Sequence, residues 1–165
     1  MIVRKVQNKG LYIISLGMFI IDIISKLVVV NYIEYDRVVT IISNFFNLNY
    51  VRNTGGAFGI LEGNVVLIVM VTIIIFFYIF RYLNKSELNL LQMWGFGLII
   101  GGAIGNLFDR IVYGYVIDFL DFYIFNYNFP VFNLADCGIV IGGLLILIDG
   151  FLFESSDNCE NKGRR

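Results

Sequence analysis

Two aspartates, Asp118 in "VIDF" and Asp136 in "FNLAD", stand where long apolar stretches give way to polar chain. Two carboxyl groups brought within a few ångströms do not both ionise easily, so one keeps its proton while the other is a base. Such a pair can take a proton from water and supply one to a leaving amine, with pKa values that belong to the pair and not to either residue. Ordinary roles compete with this one: Asn133 three residues before Asp136 marks a helix start, where carboxylates are common. Spacing alone favours a solvated loop residue or a cap for Asp121 and leaves Asp118 and Asp136 undecided.

The sequence has no histidine, which narrows the chemistry further. Ser-His and Cys-His nucleophile pairs lack their base. An HExxH zinc site cannot be built, and Cys137 and Cys159, at opposite ends of one apolar block, cannot complete a four-ligand zinc site or meet in a disulfide. No metal or organic cofactor is implied. Ser25 and Lys26 are adjacent and point about 100° apart on a helix, which argues against a Ser-Lys dyad. Asp22 lies four residues before Lys26, so these two can pair inside a helix; an unpaired charge at mid-membrane costs about 2.5–3.5 kcal/mol.

The elements that must hold these groups are membrane helices. Of 165 residues, 58% are hydrophobic and 15% charged, against about 45–50% and about 25% in soluble domains. Four blocks reach the length of about 20 residues that a span needs: 11–31, 64–83, 91–108 and 135–153. The whole chain, 1–165, reads as one integral domain. The first block follows Arg4, Lys5 and Lys9 but carries Asp22 and Lys26 and lacks a small-residue cleavage site, so it reads as a retained anchor. Basic residues at the amino-terminal tail, at Arg81 and Lys85, and at Lys162, Arg164 and Arg165 predict that both termini are cytoplasmic. That leaves two outer segments, 32–63 and about 109–134, so that Asp118, in the second of them, and Asp136, at the start of the fourth block, both fall at the outer side. The net charge of −1 offers no basic stripe for nucleic acid.

In the third block Gly97, Gly101 and Gly105 recur every four residues, a pattern that admits a close helix neighbour. That stripe ends at Asp109, and Gly102, Asn106 and Arg110 form the adjacent one. Polar residues at this depth must face the bundle interior, because lipid cannot satisfy them.

Five motifs in order, "DIISK" (Asp22 to Lys26), "RNTGGAFG" (Arg52 to Gly59), "GGAIGNLFDR" (Gly101 to Arg110), "VIDF" (Val116 to Phe119) and "FNLAD" (Phe132 to Asp136), resemble the lipoprotein signal peptidases, the signal peptidase II family of bacterial inner-membrane aspartic proteases. The resemblance covers nearly the whole chain. It implies an all-α integral membrane fold of four transmembrane helices, with a small extracytoplasmic β-sheet and an interfacial helix that closes over the site from the second outer segment. It implies that Asp118 and Asp136 are catalytic, that Asn53, Asn106, Arg110 and Asn133 orient substrate or hold the dyad, and that Asp22 and Lys26 support the region. The implied activity is removal of signal peptides from diacylglyceryl-modified prolipoproteins, by a monomer whose partners are those substrates and membrane lipid. Gly56 and Cys137 depart from the family's usual alanine and serine, small-for-small changes expected to alter packing and not chemistry. The competing expectation is a transporter or proton relay, with Asp22, Lys26, Asp109 and Asp149 distributed along a path through the membrane; a structural subunit, in which no single acid matters, is a third.

Overall fold

A computed structural model describes residues 9–56, 60–125 and 127–163, with side chains as far as Leu152. Arg4, Lys5, residues 57–59 of the "RNTGGAFG" motif, Arg164, Arg165 and the side chains of Cys159 and Lys162 lie outside the described residues. Among the described residues four helices are long and apolar enough to cross a membrane: α1 (Lys9–Tyr32), α2 (Val65–Leu83), α3 (Leu90–Tyr113) and α4 (Leu134–Gly163), the last with its apolar span at Leu134–Leu152. α3 runs to Tyr113, past the expected end at 108, and so carries Asp109 and Arg110 within the helix. It stops at Gly114, whose φ of 78° gives the left-handed cap that lets its N–H reach Arg110 O at 3.1 Å.

α3 is the centre of the bundle and packs on α1 and on α4. Its two glycine stripes make those contacts. A Cβ on Gly101 would run into Ser15 O of α1, and one on Gly102 would run into Ala135 O of α4 and come within 3.1 Å of Ile139. With no side chain in the way the backbones approach closely, which replaces the hydrophobic drive that lipid does not supply. Gly102→Ala is therefore expected to cost about 1–3 kcal/mol as overpacking, read as unfolding in mixed micelles. Gly143→Ala, where no atom lies within 4 Å of the added methyl, should change stability by less than about 0.5 kcal/mol; equal effects would contradict the close-approach account.

α2 lies at the edge. Its span is unburied apart from Leu83, which joins Leu11, Leu88, Met93 and Ile100 in an apolar cluster near one end of the bundle. At that end Asn89 and Gln92 cap α3 reciprocally, and both amides also hold Asp149 of α4, at 2.6 and 2.7 Å. Asp149 is thus an inter-helix clasp.

A four-stranded sheet sits at the opposite end, in the order β1 (Val38–Ile42), β2 (Phe46–Asn53), β3 (Val116–Ile124) and β4 (Tyr127–Asn128), with every neighbouring pair antiparallel. Val29 of α1 and Ile33, the residue just past its end, pack against Tyr50, Ile117 and Phe119, fixing the sheet on the helix end. Arg52 lies over the rings of Tyr35 and Tyr115, 4.6 and 5.0 Å from their centroids, and ties β2 to the turn that follows α3.

One expectation is overturned here. The second outer segment is not an interfacial helix: it is β3 and β4, and among the described residues no helix other than the four spans is present. "VIDFLDFYI" is rich in β-branched and aromatic residues that suit a pleated surface, and the antiparallel pairing with β2 satisfies its backbone. A strand also turns alternate residues to opposite faces, so Asp118 points away from Ile117 and Phe119, which pack on the α1 end.

Candidate active site

Each polar group of the site is placed by a local feature of the sequence. Asn133 caps α4: its Oδ1 accepts from Asp136 N at 3.0 Å, and Asp136 Oδ2 accepts from Asn133 N at 3.2 Å, a reciprocal box at the helix start. The ordinary cap role therefore holds, and a second role is added to it. The Asn133 side-chain amide also donates to Asp118 Oδ1 at 2.6 Å and to Asn106 Oδ1 at 3.0 Å. One residue thus holds both aspartates, one from a strand and one from the first turn of a helix.

Three further residues complete the arrangement. Asn53, the last residue of β2, donates to Asp118 Oδ2 at 2.8 Å, while its Oδ1 accepts from Gly55 N at 2.8 Å in a tight turn. Asn106 of α3 donates to Asp136 Oδ1 at 2.8 Å. Arg110, one turn further on, donates to Gly55 O at 2.7 Å and holds the chain after β2 against α3. Asp22 and Lys26 form the expected pair at 2.7 Å, and Lys26 Nζ also reaches Asn106 Oδ1 at 3.0 Å. Ser25 donates to Asp22 O instead of addressing Lys26.

The profile of the family described as signal peptidase (SPase) II matches residues 14–152. The chain belongs to the signal peptidase II family. A lipoprotein signal peptidase of Halothermothrix orenii (strain H 168) is 42% identical over 137 residues, which cover 83% of this chain and 92% of that protein. A bacterial membrane enzyme solved by the in meso method at 2.3 Å superposes with a TM-score of 0.84 at 32% identity, covering 95% of this chain and 96% of that one. A second such structure, at 1.9 Å, gives a TM-score of 0.78 at 32% identity over 90% and 97% of the two chains. This signal peptidase II family member is accordingly a peptidase and a multi-pass bacterial membrane protein.

In this signal peptidase II chain the two acids differ in exposure. Asp118 is only 2% exposed, and burial pushes its carboxyl up to about 7, with the nearby Asp136 charge adding to the rise; the Asn53 and Asn133 hydrogen bonds and the Lys26 charge pull the other way. Asp136 is half-buried, and its neighbour Cys137 lies half-buried on the same first turn.

Sequence reasoning misplaced one acid and gave another, although turned to the bundle interior, no role in the site. Asp121 is not a solvated loop residue: it is 1% exposed and accepts from Asn47 at 3.3 Å, because the two stand opposite each other in the β2–β3 register. It lies on the strand face opposite Asp118. Asp109, which ended the glycine stripe, contacts Lys26 Nζ at 2.9 Å and accepts from Ile117 N at 3.2 Å. Its one legible signal was its place one turn beyond Gly105. The relay expectation fails on the same geometry. Asp22, Lys26 and Asp109 form one closed cluster beside the dyad, Asp149 is engaged by Asn89 and Gln92, and among the described residues no acid stands on α4 between Asp136 and Asp149. That gap is about 20 Å of helix at ~1.5 Å per residue.

Proposed function

We propose that this membrane peptidase is an aspartic endopeptidase, the whole chain acting as one membrane domain, that removes signal peptides from diacylglyceryl-modified prolipoproteins, cutting before the lipid-bearing cysteine. One observation carries the reading: a single asparagine, Asn133, binds both Asp118 and Asp136. The kinship with a lipoprotein signal peptidase supports the substrate class. A membrane-embedded bundle suits it as well, since the signal helix and the acyl chains both arrive laterally through lipid.

The mechanism follows from the unequal surroundings of the two acids. Asp136, the more accessible, is the base: it takes a proton from water while the oxygen attacks the scissile carbonyl carbon. Asp118 is the acid and gives its proton to the carbonyl oxygen, forming a gem-diol. Asp136 then passes its proton to the amide nitrogen, the C–N bond breaks, and Asp118 recovers a proton from the departing diol hydroxyl. Both groups return to their starting states. Asn53, Asn106 and Asn133 hold the carboxyl planes through these transfers, and Arg110 holds the Asn53–Gly55 turn beside them. By the basic residues of the termini and of Arg81 and Lys85, the sheet end faces the outside of the cell.

The sign of the pH dependence follows. Asp118 must be protonated to act, and its carboxyl titrates at about 7, so kcat/KM should fall as the pH rises through about 7. Asn53 stabilises the charged form, so Asn53→Ala should move that alkaline limb to higher pH. A limb that stays put or moves down in this variant, measured on the diacylated substrate, would remove Asp118 as the acid. Substrate class is tested with purified protein and one prolipoprotein in diacylated and unlipidated forms. Cleavage of the diacylated form alone is expected; equal cleavage of both would refute the lipid requirement.

A further inference from the structure

Lys26 is only 1% exposed, and its ammonium, which has three N–H donors, meets three oxygens: Asp22 Oδ2 at 2.7 Å, Asp109 Oδ2 at 2.9 Å and Asn106 Oδ1 at 3.0 Å. What those three groups do next is the informative feature. Asp22 Oδ1 accepts from Ala135 N at 3.0 Å, and Ala135 directly precedes Asp136. Asp109 Oδ2 accepts from Ile117 N at 3.2 Å, and Ile117 directly precedes Asp118. Asn106, its oxygen turned to Lys26, presents its N–H to Asp136 Oδ1 at 2.8 Å. We infer that Lys26 and Asp109 are positioning residues of the dyad: one ammonium, through two acids, fixes the backbone immediately before each catalytic aspartate and sets the hand of the Asn106 amide between them.

This inference rests on the dyad reading above. It explains why two anions and a cation are kept buried where apolar side chains would pack at lower cost: ionic groups in such places are best justified by the register they impose. Here the register is that of β3 against the start of α4. The carboxylate at Ala135 N also meets the positive end of the α4 dipole. A misplacement of about 1 Å between reacting groups costs about 100-fold in rate. The cluster therefore acts on turnover without touching substrate.

The test uses purified full-length protein and the diacylated prolipoprotein. Asp109→Leu removes the acceptor for Ile117 N; Asp109→Asn retains an oxygen there. Asp109→Leu should lower kcat about 100-fold with KM within about twofold of wild type, and Asp109→Asn should recover to within about 10-fold. In parallel, the Ile117 amide proton, charge-assisted in wild type, should move upfield in the NMR spectrum of Asp109→Leu and less so in Asp109→Asn. A kcat for Asp109→Leu within twofold of wild type, a loss carried by KM alone, or an unmoved Ile117 resonance overturns the proposal. If Asp109→Leu does not fold, Asp109→Asn decides: an Ile117 amide that stays downfield with near-normal KM supports the role, and an amide at the position of an exposed N–H refutes it. Asp136→Asn assayed alongside separates the two readings, since residual turnover there sinks the dyad while leaving the Ile117 signal as an independent measure of the cluster.

Discussion

Asp136→Asn should lower turnover of a diacylated prolipoprotein by about 1,000-fold or more while leaving the protein inserted and folded. The size follows from the role: an acid or base acting in the transition state contributes about 10²–10⁴-fold, and an amide cannot accept the proton of the attacking water. The substitution is nearly isosteric and gives up one of two accepted hydrogen bonds. Asp136 Oδ1 accepts from Asn106 and Oδ2 from Asn133 N, and an asparagine retains one carbonyl acceptor on the helix cap. Folding should therefore survive where chemistry does not. Asp118→Asn should be equally inactive, because the carboxyl proton that protonates the carbonyl oxygen is gone. Turnover above about one hundredth of wild type in either variant, with quantified active protein, would rule out the shared-proton mechanism.

Lys26→Met has the second large effect, and it falls on stability. The substitution leaves the Asp22 and Asp109 carboxylates buried at 0% and 1% exposure with their common cation removed. Removing one partner of a buried ion pair costs about 3–5 kcal/mol, because the remaining charge is left uncompensated. Gly105 sharpens the expectation: a Cβ there would run into Asp22 Oδ2, so Asp22 is already packed against the α3 backbone on that side. Unfolding by denaturant in mixed micelles measures it, and a change below about 1 kcal/mol would contradict the account. Lys26→Met combined with Asp109→Asn removes one anion with the cation and should be less destabilised than the single variant.

The bundle is legible in the sequence for a plain reason. A bilayer requires long apolar runs with internally satisfied backbones, and that requirement is local, so α1, α2, α3 and α4 fall close to the blocks counted along the chain. Helical period likewise placed Lys26 against Asp22 and put Gly101 and Gly102 on two adjacent packing stripes. The motif order identified the family. The segment after α3 was less legible: "IDFLDFYIF" suits an interfacial helix or a strand by composition, and only its pairing with β2 decides for the strand.

What the sequence determined by itself is thus the membrane class, the number of spans, the family and the identities of the candidate acids. Tertiary structure decided which acid meets which group: Asp121 turned inward onto Asn47, Asp149 clasping Asn89 and Gln92, Asp109 reaching the N–H before Asp118, and Asn133 gathering Asp118 and Asp136. The physical reason is that span length and helical period are set by neighbours within one or two turns. A hydrogen bond between β3 and α4 depends on strand register and on how closely α1, α3 and α4 approach, and neither is written in local composition.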